Sequence, residues 1–201
     1  QNNLIEIFLP IKRDINGSLF FGIIDGWKFV GYRGLASHGA AVGIIISMFI
    51  YKSKFKYDSI LWIFDRIAIP IAIGGMFVRI GNFFNSEIVG NYTESNFGVV
   101  FLNRGEIFPR HPAQLYEAFG YLLLFIILRQ LYWKTDLKNK QGFIFGLFLS
   151  GLFSIRILVE YVKESQGGYL EELFGLLSTG QWLSIPLILT GFFFMLNSKK
   201  T

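Results

Sequence analysis

The sequence predicts an all-α polytopic membrane protein, and three observations carry that prediction. Of 201 residues, 52% are hydrophobic and 18% aromatic, with 23 Phe. Only 16% are charged, where soluble domains carry about 25%. The apolar residues fall in blocks of about 20, the length a helix needs to cross a bilayer. The same composition excludes intrinsic disorder, a collagen-like rod and a disulfide framework, and the lack of any Cys excludes a Cys-type zinc site. Net charge is +5, which in a soluble protein would point to nucleic acid. Here the basic residues sit between apolar blocks. The positive-inside rule accounts for them, and no nucleic-acid partner is expected.

About five spans are expected, near 35–51, 59–80, 113–133, 142–162 and 179–197. The first is short and opens on Ala36, Ser37, Gly39, Ala40 and Ala41, small residues that permit close helix packing. Gly74, Gly75 and Gly81 load the second. Pro112 suits the first turn of the third, where Gln114 and Glu117 read as a capping arrangement. The fourth carries Arg156 and Glu160 in its later half. Gly180 and Gln181 open the last, and Pro186 is expected to kink it.

Loop charge sets the expected orientation. Lys52, Lys54 and Lys56 follow the first span, Lys134, Lys138 and Lys140 the third, and Lys199 and Lys200 the last. Connections 81–112 and 163–178 are acidic or mixed. That places 51–58, 134–141 and the tail 198–201 in the cytoplasm, and the other connections outside. Stretch 1–34 then reads as an external arm, punctuated by Gly17, Gly22, Gly26, Gly31 and Gly34. In the external loop 81–112, short strands or an ordered loop both fit residues 91–110. The chain opens on Gln1 with no signal peptide, so it reads as a fragment or processed product lacking N-terminal elements.

Ionisable residues in or beside spans are costly and mark functional sites by default. This topology brings His38, Arg79, Asn82, Asn85, Glu87, Arg156 and Glu160 to one depth, near the external headgroup boundary. Arg79 and Asn82 are spaced i, i+3 and can face one pocket. Arg156 and Glu160 are spaced i, i+4. They form either an intrahelical ion pair alone or an Arg held by Glu and aimed at a phosphate, which the planar guanidinium grips bidentately. His38, among small neighbours, is either a buried hydrogen-bonded His or a group that takes a proton near neutral pH. There is no metal-ligand spacing, phosphate loop, nucleotide fingerprint or nucleophile elbow, so neither metal nor cofactor is expected.

Five blocks carry a resemblance. They are Val78-Arg79-Ile80-Gly81-Asn82-Phe83-Phe84-Asn85-Ser86-Glu87-Ile88-Val89-Gly90, Ser37-His38-Gly39-Ala40-Ala41, Arg110-His111-Pro112-Ala113-Gln114-Leu115-Tyr116-Glu117, the pair Arg156 and Glu160, and Gly180-Gln181-Trp182-Leu183-Ser184-Ile185-Pro186. Across nearly all of 34–191 they resemble, in family order, the prolipoprotein diacylglyceryl transferases, bacterial enzymes that start lipoprotein maturation. Val78 stands where that family often has Gly, and Ala40 replaces a second Gly. The resemblance implies about seven spans in the parent, two of them ahead of those here, with a family Tyr that has no counterpart in these residues.

It also implies a function. The diacylglyceryl group of phosphatidylglycerol would pass to the lipobox Cys thiol of a preprolipoprotein signal peptide, forming a thioether and releasing glycerol phosphate. The catalytic domain would be 35–197, in the bacterial cytoplasmic (inner) membrane, with its site near the outer leaflet. Arg79 and Arg156 would clamp the phosphate, with Asn82, Asn85, Glu87 and Gly90 completing the substrate site. His38 would be the base and Glu160 a partner of the arginines. The alternative is a non-catalytic lipid or anion transporter using the same arginines as an anion path.

Overall fold

The computed structural model describes residues 11–19, 24–29, 37–56, 59–164 and 177–200. The chain divides into two compact units, 1–56 and 57–201. Among the described residues of the first are two strands and a helix. Strand β1 (Ile11–Leu19) pairs antiparallel with β2 (Ile24–Phe29), with Ile11 opposite Phe29 and a register shift between Arg13 and Ser18. A two-stranded ribbon therefore occupies part of the expected arm 1–34, a departure from an all-helical chain. Helix α1 (Ser37–Phe55) covers 19 residues.

The second unit is helical. Its helices are α2 (Ile60–Phe84), α3 (Ala113–Lys134), α4 (Phe143–Glu160) and α5 (Thr179–Leu196). Among the described residues, these four are the helices long and apolar enough to cross a membrane. A multi-pass, mainly α-helical membrane protein follows. The expected first span, 35–51, corresponds to α1. His38 lies near its start, and Lys52 and Lys54 fall in its last turn.

Sequence dictates most helix ends. Ser59 caps α2 by accepting from the Leu61 amide at 3.2 Å. A capping box closes the N-terminus of α5: Ser178 Oγ accepts from the Gln181 amide at 3.2 Å, and Gln181 Oε1 accepts from the Ser178 amide at 3.0 Å. Helix α4 lacks a cap of its own, because Gly142 precedes it with φ +87°. Asp65 supplies one from α2. Its Oδ2 accepts from the Gly142 amide at 2.7 Å and its Oδ1 from the Phe145 amide at 2.8 Å. These are orphan amides of a helix start, where a carboxylate is favoured. Asp65 is only 1% exposed, so the cap is internal to the bundle.

Ala68 and Ala72 of α2, Leu124 and Leu128 of α3, and Ile144 and Phe148 of α4 form the core. Gly146 of α4 and Gly191 of α5 bring two backbones together: a Cβ on Gly146 would lie 2.5 Å from the Gly191 carbonyl oxygen. Small residues permit that approach, which substitutes for hydrophobic drive between helices in lipid. Phe77, Phe119, Leu158 and Leu189 point outward, as a hydrocarbon solvent allows. Short pairs tie the connections. Strand β3 (Val99–Val100) meets β4 (Pro109–Arg110), and β5 (Lys140–Gln141) meets β6 (Lys199–Lys200). The connection between α2 and α3 thus combines short strands with an ordered turn.

Candidate functional site

The C-terminal end of α2 meets the first turn of α3 through a closed ring of polar contacts. Arg79 and Asn82 lie three residues apart on α2, and Arg79 Nη1 donates to Asn82 Oδ1 at 3.3 Å. Asn82 Nδ2 donates to Glu87 Oε2 at 2.8 Å. Gln114 Nε2 donates to the Glu87 carbonyl at 2.5 Å. Arg79 Nε is ion-paired with Glu117 Oε2, and Gln114 and Glu117 share one face of α3 at i, i+3. Both are buried, Glu117 to 2% exposure. A carboxylate so placed is tenable only beside its cation.

The chain between the helices is bent to serve this ring. Asn85 ends α2 as its C-cap residue, with its amide bonded to the Gly81 carbonyl at 3.0 Å. Ser86 and Ile88 then adopt φ of +57° and +56°. A β-branched residue resists that region, so the corner depends on its ties. The Glu87 amide donates to the Asn82 carbonyl at 2.9 Å, the Gly90 amide to the His111 carbonyl at 2.9 Å and the Asn91 amide to the Val162 carbonyl at 2.8 Å. Gly90 must lack a side chain, because a Cβ there would stand 2.5 Å from the His111 carbonyl oxygen and 2.7 Å from that of Val162.

Arg156 comes from α4. Its Nε is buried without a hydrogen-bond partner among the described residues. Tyr121 of α3 lies within the electrostatic reach of Glu117, Arg79 and Arg156. Glu160 does not hold Arg156. Its Oε2 accepts from Lys163 Nζ at 3.2 Å, and its Oε1 accepts from Ser178 Oγ at 3.1 Å. The i, i+4 contact gives way because a closer cation and the cap residue of α5 both reach the carboxylate. Gly180 makes room for it: a Cβ there would lie 2.7 Å from Glu160 Oε1.

The connection between α2 and α3 is strapped to the end of α4 by charge. Arg110 Nε donates to Glu106 Oε2 at 2.6 Å and Arg104 Nε to Glu106 Oε1 at 3.0 Å, while both arginines reach Glu164 at 3.1 Å. Hydrogen bonding from Arg110, with help from Arg104, holds the Glu106 carboxyl below its usual range. Arg110 Nη1 also donates to the Gly90 carbonyl at 3.2 Å, which joins this cluster to the corner.

Of the residues singled out from sequence, the fold joins Arg79, Asn82 and Glu87 directly and places Asn85 and Gly90 at the same corner. Arg156 shares with Arg79 the electrostatic neighbourhood of Tyr121, and Glu160 turns to a separate cluster. His38 is the second residue of α1, in the other unit, and its side chain lies outside the described set. Gln114 and Glu117 were expected to cap α3. Instead Pro112 occupies the cap position without a side-chain cap bond, and both residues turn inward to α2. The signal was present: two polar residues i, i+3 in the first turn of an apolar helix, with no Ser, Thr or Asp ahead of them to complete a capping box. Tyr121 and Lys163 carried no such signal. Among the described residues, no group of three or more His, Asp or Glu could hold a metal ion.

Two guanidinium groups in a low-dielectric setting suit one ligand chemistry, an anion with several oxygens. The contacts of Arg79 to Glu117 and Asn82 use Nε and Nη1, leaving other donors of its five for such a ligand.

The family model for prolipoprotein diacylglyceryl transferase matches residues 17–197. A Tolumonas auensis protein named phosphatidylglycerol–prolipoprotein diacylglyceryl transferase is 47% identical over 167 residues, covering 83% of this chain and 63% of that protein. A Bacteroides fragilis protein of the same name is 42% identical over 196 residues, covering 96% of this chain and 66% of that protein. One from Chloroherpeton thalassium is 40% identical over 171 residues, covering 85% and 63%. The chain therefore spans just under two thirds of the length of these relatives. With a match from residue 17 to 197 and relatives at 40–47% identity, the chain belongs to the prolipoprotein diacylglyceryl transferase family.

Proposed function

We propose that this chain forms the catalytic part of an enzyme that moves the diacylglyceryl group of phosphatidylglycerol onto the lipobox cysteine thiol of a preprolipoprotein. The observation that carries the reading is the pairing of two unlike arginines. Arg79 is held by the buried Glu117 and by Asn82, and Arg156 keeps a buried Nε with no hydrogen-bond partner among the described residues. The first is pre-positioned, and the second has a donor to give.

In the reaction, the substrate thiol loses its proton, because the thiolate is the nucleophile and a free Cys has a pKa of about 8.5. His38 takes that proton, a role that rests on the family resemblance. The sulfur lone pair attacks the diacylglyceryl carbon that bears the phosphate. A C–S bond forms, the C–O bond to phosphate breaks, and its electrons leave on the phosphate oxygen of glycerol phosphate. Arg79 and Arg156 balance the charge that grows on that oxygen. Asn82, Asn85 and Glu87 hold polar headgroup atoms, and Gly90 shapes the wall beside them. Glu160, through Lys163 and Ser178, fixes the end of α4 that carries Arg156. The site lies near the outer leaflet of the bacterial inner membrane, where the headgroup and the signal peptide meet.

The test is a transfer assay on the full-length parent with phosphatidylglycerol and a lipobox peptide, read as a lipid-sized mass gain on the Cys. His38→Ala, Arg79→Ala and Arg156→Ala should each abolish or greatly slow it. Three variants as active as the parent would refute the site. Anion flux without covalent change to the peptide would establish the transporter alternative instead.

A further inference from the structure

Residues 91–110 join α2 to α3 and lie outside both helices, yet they expose large apolar side chains. Phe97 is 78% exposed, Leu102 76% and Ile107 90%. Isolated apolar side chains on a surface need no explanation, but a concentration in one short connection does. This connection is also held in shape. Strands β3 and β4 pair, the Thr93 amide donates to the Pro109 carbonyl at 3.1 Å, and Arg104, Glu106, Arg110 and Glu164 form their charge cluster. A rigid loop that displays Leu102 and Ile107 keeps displaying them.

The fold indicates what covers this face. Phe84, Val100 and Leu102 line a cavity of about 220 Å³ together with Phe83 and Phe101. Phe84 ends α2 and is seven residues from Phe77, so the two share a helix face, and both are exposed. The apolar side of α2 therefore meets the loop at the cavity that Phe84 and Leu102 share. Charge agrees with this. Glu106 is matched by Arg104 and Arg110, so the loop brings few uncompensated charges toward the lipid. Tyr92 and Phe108 pair with ring centroids 6.1 Å apart, and the Arg110 guanidinium lies 5.0 Å from the Phe108 ring. Aromatic rings beside cations are the composition of a headgroup boundary.

We propose that the connection between α2 and α3 is an interfacial anchor. Phe97, Leu102 and Ile107 enter the acyl-chain boundary of the leaflet reached by the C-terminal end of α2. The occupant of the face and its cavity is lipid hydrocarbon. Because the loop is tied to Gly90 by Arg110 and to Asn91 by the His111 amide, anchoring it sets the depth of the Arg79 ring relative to the phosphates. The anchor does not depend on the transfer chemistry.

The experiment is site-directed spin labelling of the full-length parent in phosphatidylcholine vesicles. These 201 residues contain no Cys, so Leu102→Cys and Ile107→Cys each give one label once any Cys elsewhere in the parent is changed to Ser. Phe77→Cys on the outer face of α2 serves as the lipid reference, and Lys138→Cys as the aqueous one. Collision with oxygen is compared with collision with a water-soluble nickel chelate. The anchor requires both loop labels to favour oxygen, on the Phe77 side of the midpoint between the references. Labels that match Lys138 overturn it. Labels inaccessible to both reagents also overturn it, by assigning the face to protein. Should either Cys variant fail to elute as a monodisperse species, Leu102→Trp with bromine-labelled acyl chains gives the same decision through the presence or absence of quenching.

Discussion

Glu117, in the first turn of α3, is the buried counter-charge of Arg79, near the end of α2. The pair joins helices whose near ends are separated in sequence by the whole connection 85–112. Two of the functional suspects, Asn82 and Glu87, are held by the same ring. The geometry of Arg79 therefore depends on α3 as much as on its own helix.

Removing that counter-charge should cost more than removing both charges. Glu117→Gln leaves a guanidinium in a dry site, and breaking a buried pair from one side costs about 3–5 kcal/mol. Arg79→Met with Glu117→Gln should recover part of this, read as the midpoint of thermal unfolding in a double-mutant cycle. Additive effects would show that the pair does not couple.

Arg156→Lys should be a poor replacement, since Lys keeps the charge and loses the planar fork. Loss of one charge-assisted contact of about 1.5–3 kcal/mol corresponds to a fall of roughly ten- to a hundredfold in kcat/KM. Unfolding should be nearly unchanged, because Arg156 Nε has no hydrogen-bond partner among the described residues to lose. A transfer rate within twofold of the parent would contradict the phosphate role.

Gly90→Ala should disable the corner. The added methyl would meet the His111 and Val162 carbonyls, and forced overpacking of this kind costs about 1–3 kcal/mol. Transfer should fall severely while the far end of α4, measured by exchange of the Phe145 amide, stays protected. Equal loss of protection at both ends would instead indicate global unfolding.

Asp65→Ala should loosen the start of α4, because two amides lose their acceptor. Orphaned buried donors cost about 1–3 kcal/mol. Faster hydrogen exchange at Gly142 and Phe145 is the expected signature, with Asp65→Asn intermediate. Unchanged exchange would show that water or another group caps the helix.

The charge cluster of the connection between α2 and α3 should be acid-labile. Glu106 has its folded pKa below the ordinary value of 4.5, chiefly through Arg110. A depressed carboxyl contributes stability above its unfolded pKa and loses it as pH falls through the folded value. The strap from the loop to Glu164 should thus hold from neutral pH down to the ordinary carboxylate range and open below it. Exchange at the Glu164 amide, corrected for intrinsic rate, should rise in that acid window. Glu106→Gln should flatten the response.

The membrane class and the family were legible in the sequence, because both reside in local properties: runs of apolar residues, and short blocks such as Arg79 to Gly90. The span count was less so. Helix α1 forms, but Lys52 and Lys54 fall within it, and an apolar run and its helix need not have the same ends. Partners were least legible. Spacing put Arg156 beside Glu160, yet Lys163 and Ser178 reached that carboxylate first. An i, i+4 spacing states only that two side chains can meet, while the neighbouring helices decide whether they do.

Sequence alone thus determined the solvent for which this chain is built, since hydropathy is a sum over residues. It also determined which polar groups had to be accounted for inside that solvent. Tertiary structure alone decided how they are satisfied. Asp65 caps a helix that begins at Phe143, and Glu117 neutralises Arg79 across a loop. In a low dielectric an unpaired buried charge is costly, and which partner lies within reach depends on how the helices pack.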